Sequence, residues 1–165
     1  IPSQTILKGL AKFKGIGRRF ELKAQVGGRY IFEDYAHHPT EIRATLEAAK
    51  LGWGRRILAI FQPHRYTRLA LLMDRFSTCF NQADTLIITE IYPAGEKPIP
   101  GITGKKLFEA IQTYGHKDVY FEPEMAKIPD LVKKLSQADD LIFVLGAGNI
   151  YRVIPEIIKK LGGKN

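Results

Sequence analysis

Cysteine is almost missing from this chain: Cys79 is the only one in 165 residues. One thiol excludes an internal disulfide framework and suits a reducing compartment, the cytoplasm. Its neighbours Phe76 and Phe80 mark it as a buried structural thiol rather than a nucleophile. No apolar run reaches membrane-spanning length, so no membrane partner is expected. The opening stretch IPSQTILKGLAKF lacks the continuous apolar core of a signal peptide. Its start at isoleucine suggests an excerpt from a longer protein. Internal repeats and low-complexity segments are also missing. Acidic residues are outnumbered 17 to 25 by basic ones, which leaves a formal charge of +8. That excess raises nucleic acid as a partner, but Lys105–Lys106, Lys133–Lys134 and Lys159–Lys160 fall on separate predicted helices with few aromatics between them. Solvated helix faces are expected there, and no nucleic acid. A basic balance equally suits an enzyme that handles phosphorylated substrates.

The chain does have apolar residues, 45% of the total, enough for the core of one domain. Helical spacing of Ile6, Leu7, Leu10 and Phe13 predicts a helix over Ser3–Phe13, with Gly15 near its end. Phe20–Val26 and Arg29–Asp34 read as two strands joined by the turn Gly27-Gly28. Strand-like runs then alternate with helical ones. Strands are expected at Arg56–Phe61, Thr85–Glu90, Val119–Phe121 and Asp140–Leu145. Helices are expected from Pro39 to Gly52, over Thr67–Phe80, Gly104–Tyr114 and Pro129–Leu135, and after Asn149. Such alternation predicts an α/β fold with a Rossmann-like, mostly parallel sheet of about six strands, helices on both faces and one antiparallel edge strand. A domain boundary is expected near Gly15–Arg18.

Two loops carry unusual chemistry. DYAHHPTE (Asp34–Glu41) and FQPHRYTR (Phe61–Arg68) each leave an apolar strand and enter a helix. Both hold histidine, charge and proline where a structural loop would hold glycine or asparagine. In parallel α/β sheets the loops at the carboxyl ends of the strands line one crevice, where ligands bind. Together with Ile91–Glu96 and Gly146–Asn149, these loops are expected to share one edge as a site for an anionic ligand. Arg65 and Arg68 are three apart at a helix opening, and arginine forks bind carboxylate or phosphate two-pointedly. The alternative pairs them with Glu41 or Glu90 as surface ion pairs. The restriction of the turn by Pro63, His64 and Tyr66 favours the ligand. Arg18 and Arg19 can either cap the linker or reach a phosphate, and the residues alone do not decide.

Other matches carry less. Gly146-Ala147-Gly148-Asn149 begins like a dinucleotide fingerprint, but Tyr151 and Arg152 stand where its third glycine belongs. Gly101–Lys106 has the Gly-Lys pair of a P-loop but Ile99 in place of its first glycine and Lys106 in place of its Ser/Thr, so no Walker A motif is present. His37, His38 and His64 with Asp34 and Glu41 match no metal-ligand spacing, and no metal site is expected. His116, in a polar turn, is expected to be merely solvated.

Taken in order, GRRFE (Gly17–Glu21), DYAHHPTEI (Asp34–Ile42), FQPHRYTR, IYPAGE (Ile91–Glu96), PIPGI (Pro98–Ile102) and LGAGNI (Leu145–Ile150) resemble the C-terminal domain of the Mur ligases of peptidoglycan synthesis. The likeness is to the branch that joins L-alanine to UDP-N-acetylmuramate. It covers nearly the whole chain, with Glu33 where members often carry Asp, but the family's P-loop, central-domain metal ligands and N-terminal domain are missing. The resemblance implies residues 1–17 as the tail of a central ATPase domain and linker, and 18–165 as the C-terminal domain. It implies nucleotide contacts from Arg19, Asp34 and His38. It implies an L-alanine pocket from Tyr35, His64, Arg65, Arg68, Glu96, Gly146 and Asn149, with the arginines on the carboxylate. His37 or His64 would take the amine proton. ATP and Mg2+ would be bound mainly by the central domain, whose P-loop this chain lacks, so the chain alone is expected to be inactive. A stand-alone nucleotide- or anion-binding module and a basic nucleic-acid-binding domain are the competing readings.

Overall fold

The structure, a computed structural model, describes residues 1–11 and 16–162, with residue 10 in backbone only. The predicted end of the first helix, with Phe13 and Gly15, lies outside the described residues. Its described part, α1, runs Ser3–Ala11, and Ile6 and Leu7 on its apolar side are exposed.

The sheet has six strands: β1 (Glu21–Val26), β2 (Arg29–Asp34), β3 (Ile57–Phe61), β4 (Thr85–Ile88), β5 (Val119–Phe121) and β6 (Leu141–Leu145). Their order is β1-β2-β6-β3-β4-β5, and every pairing except β1 with β2 is parallel. Gly27 and Gly28, with φ of 55° and 80°, make the tight turn that folds β1 back on β2. The mostly parallel sheet with an antiparallel edge is therefore present. The position of β6 between β2 and β3 is not something alternation could specify.

The central strands are apolar throughout because both of their faces are covered. Ile57, Ala59 and Phe61 of β3, with Leu141, Phe143 and Leu145 of β6, pack against Ile42 and Leu46 of α2 (Pro39–Trp53). The same side takes Leu69 and Phe76 of α3 (Tyr66–Ser77) and Leu107 and Ile111 of α4 (Gly104–Thr113). The alternate residues Leu58, Ile60, Ile142 and Val144 face α5 (Ile128–Leu135) and α6 (Ile154–Lys160). The period of two in a strand thus divides each strand between two cores. Phe143 stacks on Phe32 at 4.8 Å, and truncating it would cost ~3–5 kcal/mol. Cys79 is buried beside Phe76 and Phe80, and that burial pushes its thiol well up.

One expectation needs correction. His116 is not merely solvated: its Nε2 lies 2.9 Å from the Ala83 carbonyl, and its Nδ1 is buried. The turn before β5 folds back on the end of the α3–β4 connection, which covers the ring. The lysine pairs do lie on three separate helices, as expected. Because α5 and α6 pack side by side, Lys133–Lys134 and Lys159–Lys160 end neighbouring helices, and Lys160 bridges to Asp130 of α5 at 2.6 Å.

Candidate functional site

All five parallel strands end on one edge, and the four loops singled out in the sequence leave from it. The chain departs β3 toward α3 on one face and β6 toward α6 on the other. Adjacent strands whose connections leave to opposite faces open a crevice between them. Gln62, at the end of β3, ties that crevice together. Its side-chain amide donates to Asn149 Oδ1 at 3.0 Å, and its oxygen accepts the Ile150 amide at 3.1 Å. Gly148 packs so tightly here that a Cβ would lie 2.6 Å from both Gln62 Oε1 and the Tyr92 ring. Glycine is therefore required for close approach, which accounts for the false start of a dinucleotide motif. The Gly-Lys pair has a similar origin: a Cβ on Gly104 would strike the Thr89 backbone, and the Gly104 amide donates to Glu90.

The loop after β2 is a built helix start. Pro39 opens α2, His38 Nδ1 accepts the Thr40 amide at 3.3 Å, and Glu41 accepts the amides of His37 and His38. This reciprocal capping fixes the direction in which the histidines project. Burial acts to raise the Glu41 carboxyl. The two amides and the charges of His37 and Arg19 outweigh it and hold the group below the ordinary carboxylate value. Asp34, 5% exposed, accepts from the Ala36 amide at 2.7 Å, the Phe20 amide at 3.0 Å and the Thr45 hydroxyl at 3.2 Å. Its carboxylate organises the loop and the segment that enters the domain. His37 Nδ1 lies 2.9 Å from the Tyr35 carbonyl, a contact only a protonated Nδ1 can make, so in the neutral ring Nε2 is the accepting nitrogen.

The second loop meets the first through a row of rings. His37 and His64 lie 5.8 Å apart, and His64 stacks on Tyr92 at 5.7 Å. Arg68 reaches back one turn to His64, 3.0 Å from Nδ1 and 3.3 Å from its carbonyl. A guanidinium can only donate, so His64 Nδ1 accepts and its Nε2 carries the proton. Burial, then the charges of Arg68, His37 and Arg65, keep His64 below its ordinary pKa. Arg65 is held at φ 61°, with its amide on the Tyr92 carbonyl. Its side chain is 48% exposed and 3.5 Å from Glu96. Glu96, in turn, accepts the Thr67 amide and hydroxyl at 3.0 and 2.6 Å, contacts that draw its pKa down. Glu96 is thus the cap that α3 lacks in its own sequence, and it brings the Ile91–Glu96 loop onto that helix.

Arg18 and Arg19 diverge. Arg19 is half exposed, 3.7 Å from Glu41, and shares a cavity of about 390 Å³ with Phe20, Asp34, Glu41, Ala44, Thr45 and Ala48. Arg18 turns inward onto Glu33 and the Gly146–Gly148 loop. A second cavity of about 300 Å³ lies under Tyr92, lined by Gln62, Ile91, Met125 and Asn149 among others. His37, His64, Arg65 and Arg68 line neither cavity; they face the open side of the edge. Tyr35, His37, His64, Arg65, Arg68 and Glu96 form one row, which Gln62 and Tyr92 join to Gly146 and Asn149. Arg19, Asp34 and His38 flank its other end. Gln62, Thr45 and Tyr92 were not singled out in the sequence. A polar residue inside the apolar run Ile57–Phe61-Gln62, just before proline, was the available signal for Gln62.

Among the described residues no group of three His, Cys, Asp or Glu side chains could hold a metal ion, and no helix is long and apolar enough to cross a membrane.

Residues 18–148 match the Mur ligase family, described as its glutamate ligase domain. The chain is 47% identical over 163 residues to UDP-N-acetylmuramate–L-alanine ligase of Geotalea uraniireducens, covering 99% of this chain and 36% of that protein. The enzyme of the same name from Geobacter sulfurreducens is 44% identical over 162 residues, with 98% and 35% covered. The fold superposes on the crystal structure of UDP-N-acetylmuramate-alanine ligase from Thermotoga maritima with a TM-score of 0.77 at 26% identity, over 94% of this chain and 32% of that one. The chain therefore spans about a third of the length of the relatives it matches.

Proposed function

Since the chain belongs to the Mur ligase family, we propose that it is the C-terminal domain of a UDP-N-acetylmuramate–L-alanine ligase acting in cytoplasmic peptidoglycan synthesis. Residues 1–17 would be the tail of the central ATPase domain and linker, and 18–165 the domain itself; the family match beginning at residue 18 supports that division. In the reaction ATP phosphorylates the muramate carboxylate and leaves ADP. The amine of L-alanine attacks the acyl phosphate, and the tetrahedral intermediate expels phosphate to leave an amide. No protein nucleophile is required; positioning and charge stabilisation carry the chemistry.

The observation that carries this reading is the row His37–His64–Arg68 with Arg65 beside it, on the open carboxyl edge. Arg65 and Arg68 supply two forks for the alanine carboxylate, and Glu96 aligns Arg65 in the meantime. Tyr35, His64, Gly146 and Asn149 shape the pocket around the small side chain. Of the two candidate bases, His37 is the better placed. In the neutral ring its Nε2 lone pair faces no protein donor among the described residues, whereas the lone pair of His64 faces a guanidinium. Arg19, Asp34 and His38 form the nucleotide side. Mg2+ does not fit here: Asp34, Glu41 and Glu96 already accept protein hydrogens, so the ion and the ATP phosphates belong to the rest of the protein. This chain alone should not ligate alanine.

Steady-state titrations of the complete protein test the assignment. Arg68→Ala should raise the L-alanine requirement roughly ten- to hundred-fold, the loss of ~1.5–3 kcal/mol from a charge-assisted contact, with little change toward ATP. Arg19→Ala should do the reverse. An Arg68 variant unchanged toward alanine would remove the loop from the amino-acid site.

A further inference from the structure

The segment that enters the domain is held in a conformation that its sequence does not favour. Arg18 has φ 60° and Phe20 φ 46°, the left-handed region that side chains other than glycine avoid. Such residues persist where the surroundings over-determine them. Here the Arg18 amide donates to Glu21 Oε2 at 2.7 Å, its carbonyl accepts the Tyr35 amide at 2.7 Å, and the Phe20 amide donates to Asp34. The side chain of Arg18 does something different. Its Nε meets the buried Glu33 carboxylate at 2.5 Å, and its Nη2 reaches the carbonyls of Gly146 at 3.1 Å and Gly148 at 3.4 Å, about 130 residues on in sequence. The guanidinium lies 4.9 Å from the Tyr35 ring centre and 4.7 Å from that of Tyr151.

We infer that Arg18 is a positioning residue that fastens the junction preceding the domain to the Gly146–Gly148 loop, so that the amino-acid side of the site is held in register with that junction. The inference rests on the ligase reading for its functional half. Four features support the clamp together: the strained backbone, a buried counter-charge, two carbonyls and two aromatic rings. A solvated linker arginine needs none of them. The carbonyls of Gly146 and Gly148 would otherwise face the same opening with no donor on the β2 side, and the loop carries Asn149, which Gln62 holds from the β3 side. Arg18 and Gln62 thus brace one loop from both flanks. Arg19, its neighbour, turns outward and takes no part.

The complete protein with Arg18→Gly, Arg18→Lys or Arg19→Ala provides the test. Glycine accepts the positive φ and so removes the clamp without adding backbone strain. Lysine keeps a charge for Glu33 but cannot also reach two carbonyls in one plane. Hydrogen exchange is followed at the Gly146 amide, bonded to the Asp34 carbonyl, and the Ile150 amide, bonded to Gln62. Both Arg18 variants should speed exchange at these two amides by about ten-fold or more while the central strands keep wild-type rates. In steady state they should raise the KM for L-alanine about ten-fold and that for ATP less than about two-fold. Arg19→Ala should leave both amides unchanged. Wild-type exchange at Gly146 and Ile150 in Arg18→Gly would overturn the clamp, as would a uniform rise across the sheet with both KM values moving together. A wild-type protein that does not join alanine would overturn the ligase reading instead, and the exchange measurement, which needs no substrate, would still decide the clamp.

Discussion

The two edges of the sheet are equally rich in charge and handle it in opposite ways. At the amino edge Arg56 binds Asp140 at 2.6 Å, the Thr85 hydroxyl at 2.5 Å and Asp118 at 3.9 Å. Thr85 in turn donates a very short hydrogen bond to Asp118, and Asp84 takes the Ile57 amide and Lys50. A cavity of about 440 Å³ opens on this edge beside Asp84, His116 and Asp118. At the carboxyl edge Arg18 closes on the buried Glu33 at 2.5 Å, but the arginines that face the opening pair loosely: 3.7 Å for Arg19 with Glu41 and 3.5 Å for Arg65 with Glu96. Among the described residues, four of the five non-glycine residues at positive φ, namely Arg18, Phe20, Arg65 and Ala94, lie at this edge or its junction, against Asp139 near the other. Charge and cavity size therefore do not mark the site. The concentration of strained backbone beside loosely paired arginines does, against one such pair, Arg55 with Asp139 at 3.8 Å, near the amino edge, because groups that must bind something else cannot be fully satisfied at home.

The sharpest way to break this contrast is to remove one charge from each edge. Asp140→Ala leaves Arg56 facing a buried gap and should cost ~3–5 kcal/mol in urea unfolding of the complete protein. Next comes Gly148→Ala, whose Cβ must displace Gln62 and Tyr92. It should cost ~1–3 kcal/mol and depress alanine use with it, read by the same denaturation and by substrate titration. Arg65→Ala, at a half-exposed pair, should change stability by less than ~0.5 kcal/mol while still weakening alanine binding. Equal losses of stability from Asp140→Ala and Arg65→Ala would erase the distinction between the edges.

The smallest expected effect concerns protons. His64 is held below 6.5, so between its folded pKa and 6.5 the unfolded chain binds more protons than the folded one. Stability should rise with pH across that window and fall as the pH drops through it. Following the His64 ring protons by NMR should give a midpoint below 6.5, and Arg68→Ala should move it upward. A midpoint at or above 6.5 would contradict the neutral, Nδ1-accepting ring.

Much of this was readable in the sequence, for identifiable reasons. Period-two and period-three-to-four patterns located the strands and helices, and Gly27-Gly28 announced the hairpin. The clustering of the four loops followed from parallel connectivity. What escaped were partnerships across the fold. Nothing near Thr67 says that Glu96 caps α3, and nothing near Arg18 points to Gly146. His38 read as a nucleotide contact and Glu41 as an ion-pair partner for the arginines, yet their spacing is also that of a helix cap, a local pattern with a local use. The insertion of β6 between β2 and β3 was equally hidden, since strand order depends on which long-range pairing buries more, not on the strand's own residues.

That insertion has a consequence for how the protein comes into being. β2 and β3 flank β6 and have no direct pairing, so the middle of the sheet stays empty until the ribosome has polymerised past Leu145. A nascent chain that has passed Phe61 but not Leu145 carries two apolar strands, each with one unfilled ladder, joined only through the α2 crossover. Emergence from the exit tunnel is thus out of step with assembly. Contacts separated by some hundred residues form slowly, and unpaired strands are open to wrong partners in the interval. The Gly146–Asn149 side of the site, with its contacts to Gln62 and Arg18, takes shape only once the sixth strand is in place.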